Sequence, residues 1–511
     1  MPASTTCQRL LQNVTRFFST PGRNRATRRR TFHLTLDPTQ HLERRTLLTT
    51  GLVQDINPAF SSYPLDIVDV NGTIFFSADD GTHGRELWKS DGTAGGTVLV
   101  KDIYPGPNGS LTPLPNASRI NFLTNVNGVL YFVADDGVHG NELWKSDGTE
   151  AGTVMVKDID PTSAGGIISS PEELVNLNGT LYFYANDGVH GEELWKSDGT
   201  EAGTVMVKDI YVGAFSSVSE SFFSSGLRTF KGKLIFGASN GFTNGEELWV
   251  SDGTTAGTVM LKDLTGNSVS SSPDDFTVVG DTMYFTAFDF THGTELWKTD
   301  GTAAGTVLVK DIVPGFLDPH LIELTAVGNT LFFAANTSDA GYELWKSDGT
   351  EAGTVMVKDI QPGTSGSIFG LDDSFRDVNG TLFFAADDGI TGREIWKSDG
   401  TAAGTVLVND IFPGVSSSYT GLPIVVGDNY YFQAFTITDG FELWRTDGTV
   451  QGTVMLRNID ANFRATVPVT AEFLTNVNGV LYFQGTDIQS ATLTELWRFD
   501  TGPVDPPPPP P

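Results

Sequence analysis

Acidic side chains recur at two positions of this chain and offer the oxygen ligands that a hard cation needs. One set follows predicted strands, at Asp80, Asp136, Asp187 and Asp388. A second set ends other predicted strands, at Asp102, Asp158 and Asp209. Carboxylates together with backbone carbonyls bind Ca²⁺, so these seven are the candidate ligand- or cation-binding residues. No Asp-x-Asp-x-Asp-Gly loop accompanies them, and capping of loops by Asp is the competing interpretation.

Catalytic chemistry is much less evident in the sequence. His83, His139, His190 and His292 occupy one position of a repeated unit, and equivalent copies indicate a role in the turn. The sequence contains no zinc-ligand spacing, nucleophile elbow or phosphate-binding loop. It therefore assigns no catalytic residue and favours a protein that is not an enzyme.

A phrase that contains tryptophan recurs along the chain and identifies the unit that positions these residues. Each copy follows Glu-Leu or Glu-Ile, and the spacings are 56, 51, 54, 48, 48, 51, 48 and 53 residues. The nine copies are Trp88, Trp144, Trp195, Trp249, Trp297, Trp345, Trp396, Trp444 and Trp497. A period near 50 indicates one supersecondary unit made nine times and stacked, because no unit buries its apolar faces alone.

Each unit is predicted to form four antiparallel strands joined by tight turns. In the third unit these cover residues 172–177, 180–185, 192–197 and 204–210, without helical periodicity. Asn178-Gly179 suits a primed hairpin turn, and Asp-Gly-Thr-x-x-Gly-Thr suits a second turn. Strands that are apolar on both faces favour radial stacking, with the tryptophans between the stacked sheets. The prediction is an all-β fold, a single β-propeller of nine four-stranded blades; eight blades or an open repeat array are the alternatives.

The two ends of the repeat region predict that the ring closes. Residues 51–58 match the fourth-strand phrase of residues 156–161, and the ninth unit stops after its third strand, at Asp500. The leading strand is therefore expected to complete the last blade, which removes an exposed sheet edge.

A charged pair also recurs in the third and fourth strands. Glu86 with Lys101 is one example, and the same pairing is found at Glu142 with Lys157 and Glu295 with Lys310. Folding of the hairpin is expected to place the two side chains opposite each other as an exposed cross-strand ion pair.

The repeated phrase resembles that of a bacterial family. Residues 51–500 resemble the Glu-Leu-Trp-x-x-Asp-Gly-Thr-x-x-Gly-Thr repeat proteins, some of them named hyalin-like, and eight of nine units carry the motif nearly intact. The resemblance implies an exported or surface-associated protein and brings no catalytic residue with it. Residues 42–49 resemble the Leu-Glu-x-Arg-x-Leu-Leu-Ser/Thr segment that heads many exported proteins of planctomycete-type bacteria.

Charge and composition divide the chain into three parts. Residues 1–50 contain nine arginines against Asp37 and Glu43, a charge of +7, so the remainder carries −37 of the total of −30. We expect a largely disordered basic export segment at 1–50, the propeller at 51–502, and a polyproline linker or truncated tail at 503–511.

No apolar run approaches the length of a transmembrane segment. The acidic body disfavours nucleic acid and anionic membranes as partners.

The predicted topology sorts the loops onto two sides of the ring. Turns between first and second strands and between third and fourth strands share one side, the turn face, and are nearly uniform. Links between blades and loops between second and third strands share the other side, the link face. The links at residues 104–116, 211–221 and 460–470 differ in length and composition. Variable loops on a rigid scaffold usually carry binding, so the ligand is expected on the link face.

Two functions follow from this arrangement. The first is an exported, extracellular or cell-surface binding scaffold for protein, glycan or Ca²⁺, formed by a monomeric propeller within a larger surface protein. The alternative is an extracellular polysaccharide hydrolase or lyase with its site at the central channel. An enzyme needs acids, bases or arginines that break the repeat, and those that do so form no recognisable set: Arg119, Arg228, Arg376 and His320.

Overall fold

Apolar runs separated by glycine-containing turns produce a fold of β-strands. The computed structural model describes residues 50–106, 121–161, 171–218, 226–241, 244–369, 373–456, 472–487 and 493–501. Within these ranges the chain forms 36 strands and no helix, so the described part contains no helix long and apolar enough to cross a membrane. The strands form nine antiparallel sheets of four, numbered here as blades 1 to 9.

The strands of the nine blades fall into four equivalent sets. The first strands are β2 (Leu65–Val70), β6 (Asn121–Val126), β10 (Glu172–Leu177), β14 (Arg228–Phe230), β18 (Asp274–Val279), β22 (Ile322–Val327), β26 (Arg376–Val378), β30 (Tyr419–Val426) and β34 (Glu472–Val477). The second strands are β3 (Thr73–Asp79), β7 (Val129–Asp135), β11 (Thr180–Asn186), β15 (Lys233–Ser239), β19 (Thr282–Asp289), β23 (Thr330–Thr337), β27 (Thr381–Asp387), β31 (Asn429–Thr436) and β35 (Val480–Asp487).

The outer half of each blade is made by the third and fourth strands. The third strands are β4 (Arg85–Ser90), β8 (Asn141–Ser146), β12 (Glu192–Ser197), β16 (Glu246–Ser251), β20 (Gly293–Thr299), β24 (Gly341–Ser347), β28 (Arg393–Ser398), β32 (Gly440–Thr446) and β36 (Leu493–Asp500). The fourth strands are β5 (Val98–Lys101), β9 (Val154–Lys157), β13 (Val205–Lys208), β17 (Val259–Lys262), β21 (Val307–Lys310), β25 (Val355–Lys358), β29 (Val406–Asn409), β33 (Val454–Met455) and, for blade 9, β1 (Thr50–Gln54).

The sheets are arranged as a nine-bladed β-propeller. In blades 1 to 8 the four strands pair in chain order, and first strands of neighbouring blades contact one another at most of the boundaries between blades. The first strands are therefore innermost and surround the central channel. The nine-blade prediction is confirmed, and the eight-blade and open-array alternatives are wrong.

Blade 9 closes the ring with the strand that the sequence analysis selected. β1 pairs antiparallel with β36, and Leu52 lies opposite Trp497. The Glu495 carboxylate accepts hydrogen bonds from the backbone N–H of Ile56 at 3.0 Å and of Ser62 at 3.2 Å. These bonds join residues more than four hundred positions apart, so the closure depends on the folded ring.

The apolar core consists of nine clusters, each shared by two neighbouring blades. Trp144 of blade 2 packs with Phe75 and Leu87 of blade 1. At the closure, Trp88 of blade 1 is in one cluster with Tyr482 of blade 9. The tryptophans therefore fill the gaps between blades, as predicted. Since no blade encloses a core of its own, stacking is what removes their apolar surface from water.

Two local predictions in the blades need correction. The fourth strand of blade 3 is Val205–Lys208, shorter than predicted, because the N–H of Ile210 turns to the carboxylate of Glu193. The exposed Glu–Lys pair is wrong: Glu86 is buried and bonds the N–H of Ile103 at 2.9 Å. The register places Lys101 opposite Leu87, and its ammonium binds the next blade.

Candidate functional site

The repeated turn between third and fourth strands is closed by its own side chains. Asp198 Oδ1 accepts hydrogen bonds from Thr200 N at 2.9 Å and Thr200 Oγ1 at 2.7 Å. Ser197 Oγ bonds Thr204 Oγ1 at 2.8 Å. A Cβ at Gly203 would lie 2.0 Å from Asp198 Oδ1, so this glycine is required by the close approach. The interpretation of these aspartates as turn caps fits the geometry.

Lysines of the repeat connect each blade to the next one. Lys196 Nζ donates to the carbonyl of Gly253 at 2.8 Å, and Lys208 Nζ donates to that of Thr258 at 2.7 Å. At the closure, Arg498 Nη1 makes the first kind of bond to the Gly92 carbonyl at 2.8 Å. Each of these bonds joins one blade to the next. The repeated cationic side chains therefore stabilise the ring.

The glutamate of the repeated phrase holds the start of the link on the link face. In blade 1, the two carboxylate oxygens of Glu86 accept the N–H groups of Ile103 and Tyr104 at 2.9 and 3.0 Å. Burial raises the pKa of Glu86 to about 7, and burial raises that of Glu295 to about 8. The charged form is held by backbone donors and opposed by desolvation.

The predicted aspartates after the second strands cap their own loops. Asp80 Oδ1 accepts the N–H groups of Thr82 and His83, both at 2.8 Å, and Asp80 Oδ2 lies 2.7 Å from His83 Nδ1. Asp136 and Asp187 make the same bonds to His139 and His190. Asp388 bonds Ile390 and Thr391 instead. Partial burial would raise the pKa of Asp80, but these hydrogen bonds outweigh it and lower that pKa.

The predicted aspartates after the fourth strands lie near the same loops. In each of Asp102, Asp158 and Asp209, the buried Oδ1 has no hydrogen-bond partner among the described residues. The hydrogen bond that His83 donates to the Asp80 carboxylate chiefly raises the pKa of His83, and the charges of Asp102 and Glu86 add to this effect. No group of three or more His, Cys, Asp or Glu side chains in the described ranges could hold a metal ion. Binding of a ligand or of Ca²⁺ by the seven predicted aspartates stays a prediction.

Much of the variable link face is outside the described residues. This applies to residues 107–116 of the first predicted variable link, to residues 219–221 of the second, to the whole of residues 460–470, and to Arg119. His320 lies on the described part, with Nδ1 3.4 Å from Asp318 Oδ2. Within the described ranges, His320 makes no hydrogen bond or ion pair with another candidate residue.

A different set of residues, most of them acidic, lies where the innermost strands begin. Five first strands contain a residue with a positive φ at their second position, beside a β-bulge. These residues are Asp66 (55°), Phe122 (58°), Glu173 (54°), Asp275 (56°) and Glu323 (62°). First strands begin on the link face and surround the channel, so these side chains lie around its mouth. Bulges of this kind redirect a side chain and are common beside functional sites.

Glu173 and Glu323 use this position to bind the next blade. Glu173 Oε2 accepts the N–H of Leu227 at 3.2 Å. The Glu323 oxygens accept the N–H groups of Ser374 and Phe375, both at 3.1 Å. Glutamate at this position therefore forms a second connection between blades, close to the channel.

Asp275 occupies the same position in blade 5 and makes no such connection in the described chain. Its one side-chain hydrogen bond there is a long one, 3.4 Å from Thr286 Oγ1. Aspartate is one methylene shorter than glutamate, which explains why the carboxylate does not reach blade 6. It faces a cavity of about 360 Å³ that is lined by Arg228, Asp274, Asp275, Phe276, Thr277, Glu323, Leu324 and Asp373.

Negative charge is in excess around this cavity. Arg228 Nη1 lies 3.4 Å from Glu173 Oε2, and Arg376 makes a bidentate pair with Asp373 at 2.8 and 2.7 Å. Asp274 and Asp275 form no ion pair in the described ranges. Burial and then the charge of Asp274 raise the pKa of Asp275 to about 6. The Asp275 side chain is exposed at the cavity, while the protein around it desolvates its carboxylate and so raises its pKa.

Most of the residues around this cavity were not predicted from the sequence. Arg228 and Arg376 stand out there as departures from the repeat, but their proximity to Asp274, Asp275 and Glu323 does not. A usable signal was present: position two of the first strand changes between Asp, Phe and Glu from unit to unit. The third-strand phrase hardly changes, so this variation marks a position that blade packing does not determine.

Comparison with known proteins gives only distant likenesses. No protein-family model matches the chain, and no curated protein matches its sequence. The computationally designed Ika8 protein has a TM-score of 0.39 at 15% identity, over 75% of this chain and 96% of the designed one. A puromycin hydrolase has a TM-score of 0.38 at 13% identity, over 84% of this chain and 60% of its own.

A prolyl endopeptidase is similar at a TM-score of 0.39 and 14% identity, over 76% of this chain and 55% of its own. The chain therefore spans little more than half the length of each of these two enzymes. With TM-scores this low, the likenesses do not bear on what this protein binds or transforms.

Proposed function

We propose that this protein is an exported, non-catalytic β-propeller of the cell surface that binds a protein or glycan partner through its link face. One observation carries the proposal: the repeated phrase is used for turn closure, blade connection and core, whereas the polar groups that vary lie around the channel mouth. Those groups differ from blade to blade, and a connection to the next blade is made there by the glutamates of blades 3 and 6. Rigid scaffolds with variable positions on one face are typical of binding proteins.

Charge and sequence resemblance support the same proposal. The net charge of −30 suits basic or neutral partners and repels polyanions. The resemblance to the Glu-Leu-Trp-x-x-Asp-Gly-Thr repeat proteins and to planctomycete-type leading segments supports export and a surface location. Ca²⁺ remains a candidate ligand of the link face, where the Oδ1 atoms of Asp102, Asp158 and Asp209 lack hydrogen-bond partners in the described chain.

The test is a footprint of the bound partner on the full chain. Glycan and peptide arrays identify a ligand, and hydrogen exchange then shows which backbone amides it protects. Protection of the starts of the first strands and of the second-to-third-strand loops is the expected result. Protection confined to the Asp-Gly-Thr turns would place the ligand on the turn face and contradict the proposal. A melting temperature unchanged by millimolar Ca²⁺ or by EDTA would exclude Ca²⁺ as a ligand of the link face.

A second candidate is a polysaccharide hydrolase or lyase acting at the channel mouth. It is favoured by Asp275, whose pKa of about 6 suits proton transfer near neutral pH, and by Arg228 beside it. Release of reducing ends or of unsaturated products from any polysaccharide, lost in Asp275→Asn, would establish this candidate in place of the first.

A further inference from the structure

We propose that the cavity between blades 5 and 6 at the channel mouth binds a cationic side chain, arginine or lysine, of a basic peptide segment in a partner protein. This inference rests on the proposed binding function and names the chemistry that one part of the link face recognises. It depends on the cavity itself, on the charges around it, and on a difference between blade 5 and blades 3 and 6.

The cavity results from the residue at the bulge of blade 5. Where blades 3 and 6 have Glu173 and Glu323, the glutamate spans the gap and accepts backbone N–H groups of the next blade. Asp275 has the same backbone conformation, with φ of 56°, but a shorter side chain. The space that a longer carboxylate would take is open and is lined by Glu323 and Leu324 of blade 6.

The lining has the composition of a binding site for an organic cation. Four carboxylates line the cavity, from Asp274, Asp275, Glu323 and Asp373, against the single guanidinium of Arg228. Phe276 and Leu324 supply apolar surface along which the methylenes of a long cationic side chain can lie. The volume of about 360 Å³ falls within the range of small-ligand pockets.

The neighbouring arginines form their ion pairs with other carboxylates, and the two adjacent aspartates feel only the more distant charge of Arg228. Arg228 is paired with Glu173, and Arg376 is paired with Asp373. Asp274 Oδ1 accepts only the N–H of Asp275, at 2.8 Å, in the described chain. Two like charges in a partly desolvated cavity repel each other, and a guanidinium or ammonium between them relieves that repulsion while gaining charge-assisted hydrogen bonds.

The ligand class follows from what the site lacks. The described residues include no set of side chains that could hold a metal ion, which favours an organic cation over Ca²⁺ at this cavity. A nucleic acid or another polyanion would meet the excess of carboxylates and be repelled. A basic segment of a protein supplies the required group and is steered to the mouth by the acidic body.

The experiment uses the full chain and a short probe peptide. The probe is an acetylated and amidated tri-arginine, and the matched control replaces each arginine by citrulline, which is neutral and nearly the same shape. Calorimetric titration at low and at physiological ionic strength should detect binding of tri-arginine and none of the citrulline peptide.

Two substitutions at Asp275 separate charge from shape. Asp275→Asn removes the charge, keeps the size, and tolerates a positive φ; it should weaken tri-arginine binding about tenfold or more. Asp275→Glu keeps the charge but fills the cavity and reaches the backbone of blade 6, so it should weaken binding to a similar degree. Glu150→Gln, an exposed residue of the turn face, removes one charge elsewhere and should change the affinity less than about twofold.

Three results would overturn the proposed binding of a cationic side chain in this cavity. Wild-type affinity in Asp275→Glu, or equal losses in Asp275→Asn and Glu150→Gln, would show attraction by overall charge and overturn the cavity site. Absence of tri-arginine binding by the wild type would overturn it as well. In either case, a ligand footprint elsewhere on the link face would leave the proposed function standing. Unchanged melting temperatures of the variants confirm that each one is folded.

Discussion

In the hairpin of the third and fourth strands, eight blades repeat one hydrogen bond between two hydroxyl groups, such as Ser197 with Thr204. At the start of the innermost strand, five blades share one backbone bulge but carry different side chains, including Phe122, Glu173 and Asp275. The hairpin repeats its chemistry because each copy closes the same turn and meets the same neighbouring blade. The bulge repeats only its backbone, so its side chain takes different roles: Glu173 and Glu323 connect to the next blade, whereas Asp275 makes no such connection in the described chain.

The largest effect is expected from the hairpin tryptophans. Trp195 is 5% exposed and packs against Tyr131 and Val156 of blade 2. Trp195→Ala should lower the free energy of unfolding by about 3–5 kcal/mol, the usual cost of truncating a buried aromatic side chain. Urea denaturation measures this, and Val189→Ala, at a residue 59% exposed, serves as the control. A loss below 1 kcal/mol would contradict the view that the tryptophans hold neighbouring blades together.

A smaller loss is expected from the hydroxyl pair. Ser197 is 1% exposed and bonds both Thr204 Oγ1 and the N–H of Gly199. Ser197→Ala leaves that N–H without its acceptor and should cost about 1–3 kcal/mol. Ser197→Thr restores the hydroxyl, as Thr299 does in blade 5, and should recover most of the loss. Equal destabilisation by both variants would point to packing and away from the hydrogen bond.

Stability is also expected to fall as the pH rises towards 8. Burial raises the pKa to about 7 in Glu86, Glu193, Glu394 and Glu495, and to about 8 in Glu295, from a usual 4.5. A carboxyl whose pKa is higher in the folded protein contributes stability that is complete below its unfolded pKa and is lost as the pH rises through the folded one. The raised pKa values of His83, His139 and His190 act in the same direction.

The melting temperature should therefore drop by at least about 2 °C between pH 5 and pH 8. Glu295→Gln, which cannot titrate, should reduce this slope, whereas Glu150→Gln on the exposed turn face should not. A melting temperature that rises over this interval would contradict the effect that burial of the link-holding glutamates has on their pKa values.

The smallest effect on stability is expected at the channel mouth. Asp275→Asn should change the free energy of unfolding by no more than about 0.5 kcal/mol, because solvent in the cavity screens the charge that is removed. Asp275→Glu should be neutral or stabilising, since the longer side chain can reach blade 6 as Glu323 reaches blade 7. If either Asp275 variant lost as much free energy of unfolding as Ser197→Ala, the channel mouth would contribute to stability as the hairpin does. The contrast between a structural hairpin and a variable channel mouth would then be wrong.

The repeat made most of the fold predictable. Hairpin turns at Asn178-Gly179, the tryptophans between blades and the pairing of β1 with the last blade follow from patterns within one unit or from matching phrases at the two ends. The Glu86–Lys101 ion pair failed because a bulge between Leu87 and Trp88 changes which side chains lie opposite. A local pattern of charges does not reveal such a shift in register, nor the burial of the glutamate.

The amino-acid sequence by itself determined the unit, its turns, its number and the closing of the ring, because these depend on interactions repeated every fifty or so residues. Only the tertiary structure decided which side chains outside the repeat pattern come together in space. Arg228, Asp274, Asp275, Glu323 and Asp373 come from four different blades and line one cavity, because each blade delivers the start of its innermost strand to the same channel mouth. The side chain of Asp275 is one methylene shorter than glutamate, and this difference leaves a cavity only because blade 6 packs beside blade 5.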